Sequence, residues 1–256
     1  MWNHPTREVA EHLLVPPEPA VFGAAEWEDL PDPVSRYLRA AIAPGTPLAT
    51  SVRLRMRGAI KLRRWLPFRA YQVLAPHRGF EWRARVAAVI TGYDRYLDGH
   101  GEMHWELLRL ETVAHASGPD VSRSAAGRAA AEALWIPTAL LPRFGVTWTA
   151  DDDRHVRARY RLHDTPIEVR YRLDDHARPV AVVFDRWGDP DGTGVYGWHP
   201  FGVEVSGHAR FGGLTIPHVG TAGWFFGTPR WDDGAFFRYR ITGLHVPTSH
   251  DPRSPA

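Results

Sequence analysis

Four groups of residues have types and spacings that could carry chemistry. The first is Glu132, one turn before Trp135 in an alanine-rich stretch. A carboxylate buried against a sheet acquires a raised pKa and can serve as a general acid or base. The plainer reading pairs it with Arg128, four residues earlier, or with a strand arginine. The second group is histidine with acid. His100 and His104 are four apart, but Gly99 and Gly101 put them in a turn, where that spacing has no ligand meaning. Glu102, His104 and Glu106 alternate on one strand face as an oxygen–nitrogen set, and His199, Glu204 and His208 form a second. Both read more simply as solvated faces paired with neighbouring arginines. No metal or cofactor is therefore expected, and the catalytic candidates are Glu132, His199 and His104.

Aromatic residues make the third group. Trp82, Tyr93, Tyr96, Trp105, Trp135, Trp187, Tyr196, Trp198, Phe201 and Trp224 fall on several strands and one helix. Converging in a curved sheet, they would line a pocket for an apolar or ring-containing ligand; otherwise they are core. The fourth group is arginine: Arg53, Arg55, Arg57, Arg157, Arg159, Arg161, Arg170 and Arg172 occupy alternate strand positions. Such rows are anion-binding surfaces or, more commonly, a wet face interleaved with acids such as Glu81, Glu168 and Glu204.

The elements that must position these groups are mostly strands. Val52, Leu54 and Met56 alternate with arginines, and Phe80, Trp82, Ala84 and Val86 with charged residues. The same period of two recurs around Met103–Leu107, Val156–Leu162, Ile167–Leu173, Val203–Phe211 and Phe237–Ile241. Seven segments with one apolar and one charged face call for an antiparallel sheet buried on one side. Turn signals separate them at 98–101, 174–176, 189–194 and 212–213. Asp32-Pro33 opens a short helix with Val34, Tyr37, Leu38 and Ala41 on one face. The stretch 122–141 has the composition of the principal helix, with Pro137 expected to end or kink it after Ile136.

The expected fold is mainly β: a strongly curved antiparallel sheet or open barrel, with one principal helix packed in its concave face. One domain is expected over 31–246, after a loose, proline-bearing leader at 1–30 (with a short helix within Val9–Leu14) and before a flexible tail at 247–256.

Composition excludes several functions. There is no cysteine, so disulfides and thiolate metal sites are out. Lys61 is the only lysine and Asn3 the only asparagine, a skew typical of a high-GC bacterial genome. With a net charge of only +2, the arginines reflect codon usage, and no nucleic-acid partner is expected. No secretory leader and no apolar run of membrane-spanning length is visible, which suggests a cytoplasmic protein. P-loop, Rossmann, nucleophile-elbow and HExxH signatures are missing from the sequence.

Trp65–Phe68 followed by Gln72, Gly79–Trp82, Gly92–Asp94, Gly99–Gly101, Glu132–Pro142, Arg186-Trp187 and Ile216-Pro217 resemble the motifs of an uncharacterised bacterial family. The resemblance spans most of the chain and implies a shared motif around Glu132 and Trp135, but no activity. More distantly, strands flanking a central helix look similar to the half-barrels of lipoprotein carriers, which hold acyl chains in an apolar concavity.

Three functions follow as expectations. The first is binding of an apolar small molecule or acyl chain in the concavity. The second is a cofactor-free cyclase, isomerase or hydratase acting on a hydrophobic metabolite. The third is a module that binds an acidic partner through its arginine rows.

Overall fold

The computed structural model describes residues 5–248; most of the tail expected at 247–256 lies outside them. Six strands run in sequence as antiparallel neighbours: β3 (Val52–Lys61), β4 (Trp65–Ala75), β5 (Gly79–Val86), β6 (Ile90–Leu97), β7 (His100–Leu107) and β8 (Glu111–Ser117). Seven more form a second meander: β9 (Thr147–Ala150), β10 (His155–Leu162), β11 (Thr165–Leu173), β12 (Pro179–Gly188), β13 (Gly197–Phe211), β14 (Leu214–Trp224) and β15 (Ala235–His245). The meanders join where β3 pairs with β15, giving one sheet of 13 strands in the order 8-7-6-5-4-3-15-14-13-12-11-10-9. The outermost strands β8 and β9 do not pair, so the sheet is open.

Curvature follows from the connection between those two edges. It contains α3 (Pro119–Ala131), a helix of 13 residues, hence about 20 Å long. A flat sheet of this many strands would be roughly 58 Å wide. Yet α3 touches β5 to β8 on one side and β11 and β12 on the other. The sheet therefore curls until both flanks reach the helix. Burial follows the alternation read from the sequence: Val52, Leu54, Met56, Phe80, Trp82, Ala84, Val156, Ala158, Val169 and Tyr171 face inward and are buried.

The central helix differs from its expected span of 122–141. It starts at Pro119 and ends at Ala131, and three short 3-10 turns (132–135, 137–140, 142–144) carry the chain onward. Pro137 has no amide to donate one turn back, and Ile136 before it is held outside the helical region (φ −139°, ψ 71°). The unwinding therefore begins a full turn ahead of the proline. These turns are anchored: Trp135 Nε1 donates to the Pro217 carbonyl (3.1 Å), Thr138 Oγ1 to the Ala49 carbonyl (2.6 Å), and Trp148 Nε1 to the Leu140 carbonyl (2.9 Å).

Preceding segments close the same end. The helix α2 (Asp32–Ala41) buries Val34, Tyr37, Leu38 and Ala41 as its spacing requires. Pro31, not Asp32, occupies the cap position; Asp32 lies inside the first turn and binds Arg36 (2.8 Å). Tyr37 stacks on Tyr171 (5.5 Å between centroids) and tilts against Trp148 (5.7 Å). The described part of the expected loose leader is packed. The helix α1 (Arg7–Leu13) buries Val9 and Leu13 against Val73 and Ala75, and β1 (Glu18–Val21) pairs with β2 (Pro47–Leu48). One buried apolar side chain per turn, with Ala10 and Leu14 packed alongside, docks α1. A last short helix, α4 (Trp231–Gly234), lies in the β14–β15 connection. No helix among the described residues is long and apolar enough to cross a membrane.

Candidate functional site

The concave face has two regions. Around Trp135 it is filled by α3, the 3-10 turns and α2. Burial there pushes the hydroxyls of Tyr37, Tyr160, Tyr171 and Tyr239 above the usual tyrosine range. Beside Arg128 the inward side chains of Trp224, Phe236 and Phe237 are only half-buried, and this strip of the concave face with its aromatic neighbours is termed the trough. Phe68 and Trp82 pack on Phe237 in one wall (5.0 and 5.9 Å), and Phe201 packs on Trp224 and Phe236 in the other (5.1 and 6.1 Å). Trp224, Phe236, Phe237, Ile60, Leu66 and Met103 are half-buried apolar residues packed against the core.

Two arginines stand in this apolar setting. Arg128 lies over the rings of Phe80 (4.5 Å) and Trp82 (5.3 Å). Its Nε donates to Glu132 Oε1 (2.8 Å) and its Nη1 to Asp94 Oδ2 (2.7 Å). Asp94 Oδ1 accepts from Trp105 Nε1 (3.0 Å), and Glu132 Oε2 accepts from Gln72 Nε2. Burial favours the neutral arginine, but the two carboxylates outweigh it and raise the Arg128 pKa. Arg186 lies over Phe201 (4.7 Å) and Trp224 (5.1 Å). Its one hydrogen bond among the described residues is from Nε to Ser124 Oγ (3.2 Å). Burial, and then the charge of Arg128, push its pKa down to about 10. Both arginines also hold positions on the principal sheet and helix, so their guanidinium groups are placed by rigid elements.

The sequence candidates divide accordingly. Trp82, Trp105, Phe201 and Trp224 belong to the trough walls, and Glu132 lies at its inner end with both oxygens engaged. Trp135 is buried in the filled region, edge-on to Tyr239 (5.3 Å). Tyr96 is buried and its hydroxyl meets His163 Nδ1 (3.2 Å). His199 sits edge-on to Trp224 (6.3 Å) and Phe225 (5.8 Å), beside the trough.

Other candidates lie elsewhere. Tyr93 and His104 are on the convex face: Tyr93 donates to Glu102 (2.9 Å) between Arg83 and Arg95, and His104 stacks on Tyr93 and contacts Glu106 (3.1 Å). Glu102 is thus held by Tyr93 and Arg95. Trp187 donates to Asp120 (2.7 Å) and meets Trp198 edge-on. Tyr196 and Trp198 are 40% and 54% exposed around the β12–β13 connection.

Arg186, Asp94, Gln72 and Phe237 were missing from the candidates as site residues. Their signal was present: Asp94, Gln72 and Arg186 stand at inward positions of strands, where the pattern asks for an apolar residue. Two depressions, of about 660 and 930 Å³, lie outside the concavity, one between α2 and the residues around Trp27, the other on the convex face.

Comparison with known proteins adds a family. The model of one family, described as a family of unknown function (DUF6544), matches residues 20–236. No curated protein sequence matches. Among solved structures, the chain is similar to a LolA superfamily protein from Nitrosomonas europaea, at 10% identity and a TM-score of 0.47, covering 91% of this chain and 96% of that one. It is also similar to a DUF1329 family protein from Desulfovibrio piger, at 8% identity and a TM-score of 0.43, covering 78% and 87%.

Proposed function

We propose that this chain, which belongs to the DUF6544 family of unknown function, binds an apolar small molecule or acyl chain carrying an anionic group in the trough of its curved sheet. Arg186 carries the reading. A guanidinium laid on two aromatic rings, with a serine as its hydrogen-bonding partner, is costly to keep desolvated. A carboxylate or phosphate arriving on an apolar tail would meet its fork of donors and remove that cost. The tail would lie along Phe201, Trp224, Phe237 and Trp82, which supply area for apolar burial. Arg128 takes no part in capture, because Asp94 and Glu132 already satisfy it. Glu132 likewise accepts one hydrogen bond on each oxygen, from Arg128 and from Gln72, which supports a structural role for that carboxylate.

Native mass spectrometry after gentle purification, followed by titration with dodecanoate and dodecanol, tests this. Wild type should bind dodecanoate more tightly than dodecanol, and Arg186→Met should erase the preference while leaving dodecanol binding unchanged. A protein that is always purified empty and binds neither probe overturns the proposal.

A further inference from the structure

The arginines of the convex face are not treated alike. Toward the β9 edge they are matched: Arg157 binds Asp151 (2.7 Å), Arg159 binds Glu168 (2.7 Å) and Arg170 binds Asp185 (3.3 Å). At the centre of the sheet arginine faces arginine across the strands. Arg85 on β5 stands directly opposite Arg69 on β4, Arg69 opposite Arg57 on β3, and Arg57 opposite Arg240 on β15. Arg238 lies two residues from Arg240 on the same face. Among the described residues, no carboxylate pairs with Arg57, Arg69, Arg238 or Arg240. Arg240 instead meets His218 (3.4 Å) and Arg238 covers the Trp65 ring (4.1 Å).

Like charges directly opposite on neighbouring strands are destabilising, and here the arrangement repeats across three consecutive strand pairs. These arginines line the convex depression of about 930 Å³, and none of its other lining residues is acidic. At about 4.8 Å between strands the row is roughly 14 Å long. One phosphate engages one or two guanidinium forks, so a row of this length has room for several.

We propose that the arginine row Arg85–Arg69–Arg57–Arg240, with Arg238, is a binding site for a small molecule carrying two or more phosphate groups. The site is on the face of the sheet opposite the trough and operates whether or not the trough is filled.

Isothermal titration with inorganic tripolyphosphate is the test. Wild type should bind at low salt and weaken as salt rises. The double variant Arg57→Gln/Arg69→Gln should lose about tenfold or more in affinity, and Arg57→Lys/Arg69→Lys should fall between it and wild type. Arg157→Gln/Arg159→Gln, on the matched side, should bind as wild type does. Because removal of the row relieves repulsion, the Gln variant should unfold no earlier than wild type; should it fail to fold, Arg240→Gln alone gives the same reading. Absence of tripolyphosphate binding, or an equal loss in the matched-side variant, overturns the proposal. So does binding of phosphatidylglycerol vesicles or single-stranded DNA through these arginines by a protein that ignores tripolyphosphate.

Discussion

Arg128 and Arg186 are the same residue type, stacked on aromatic pairs within one concave face, yet their surroundings give them opposite roles. Arg128 borders the filled region and is enclosed by two carboxylates, which in turn are held by Trp105 and Gln72. Arg186 borders the trough and has a serine hydroxyl. A charge that is balanced inside the fold is part of the scaffold. A charge left unbalanced at an accessible apolar surface is a demand for something from outside.

The largest effect that would sharpen this contrast is the loss of Arg128. Arg128→Met leaves Asp94 and Glu132 without their cation and should cost about 3–5 kcal/mol in denaturant unfolding. A loss under about 1 kcal/mol, the range of an exposed pair, would break the contrast. Arg186→Met should act in the other direction: it removes a desolvated cation from the ligand-free protein and should stabilise it by about 1 kcal/mol. Destabilisation as large as that of Arg128→Met would make both residues scaffold.

A smaller effect concerns the filled region. His77 bonds the Ala139 carbonyl (2.6 Å) and packs on Tyr160 (4.9 Å), and burial, more than that bond, sets its pKa below the usual value of 6.5. The unfolded chain therefore takes up the proton first. The stability held by the neutral ring is complete above the ordinary histidine value and is lost as pH falls from there through the lower value of the folded protein. His77→Gln should flatten the acid limb of the stability profile by a few tenths of a kcal/mol; His208, whose pKa burial also lowers, should keep the remainder. An unchanged acid limb would remove His77 from the filled region's pH response.

The strands were legible because a sheet with one buried face imposes a period of two, and Val52–Met56 or Val156–Leu162 show it without interruption. The helix boundary was not, because alanine-rich composition continues past Ala131 while the backbone already tightens toward Pro137. The site was half legible. Aromatic residues mark it, but β6 has aromatics on both of its faces, Tyr93 outward and Tyr96 inward, so type alone could not sort them. Arg186 was hidden by abundance: in a chain this rich in arginine, one inward guanidinium stands out only once its strand's register is known.

The pairing of β3 with β15 has a consequence for how the molecule assembles. Ile60 meets Phe237 and Leu54 meets Leu244, partners separated by most of the chain. Each meander can form from local hairpins, but during synthesis the first must wait with β3 bare along one edge until β15 emerges from the ribosome. Such late, long-range zippering makes for slow folding and leaves a strand edge open to other chains in the interval.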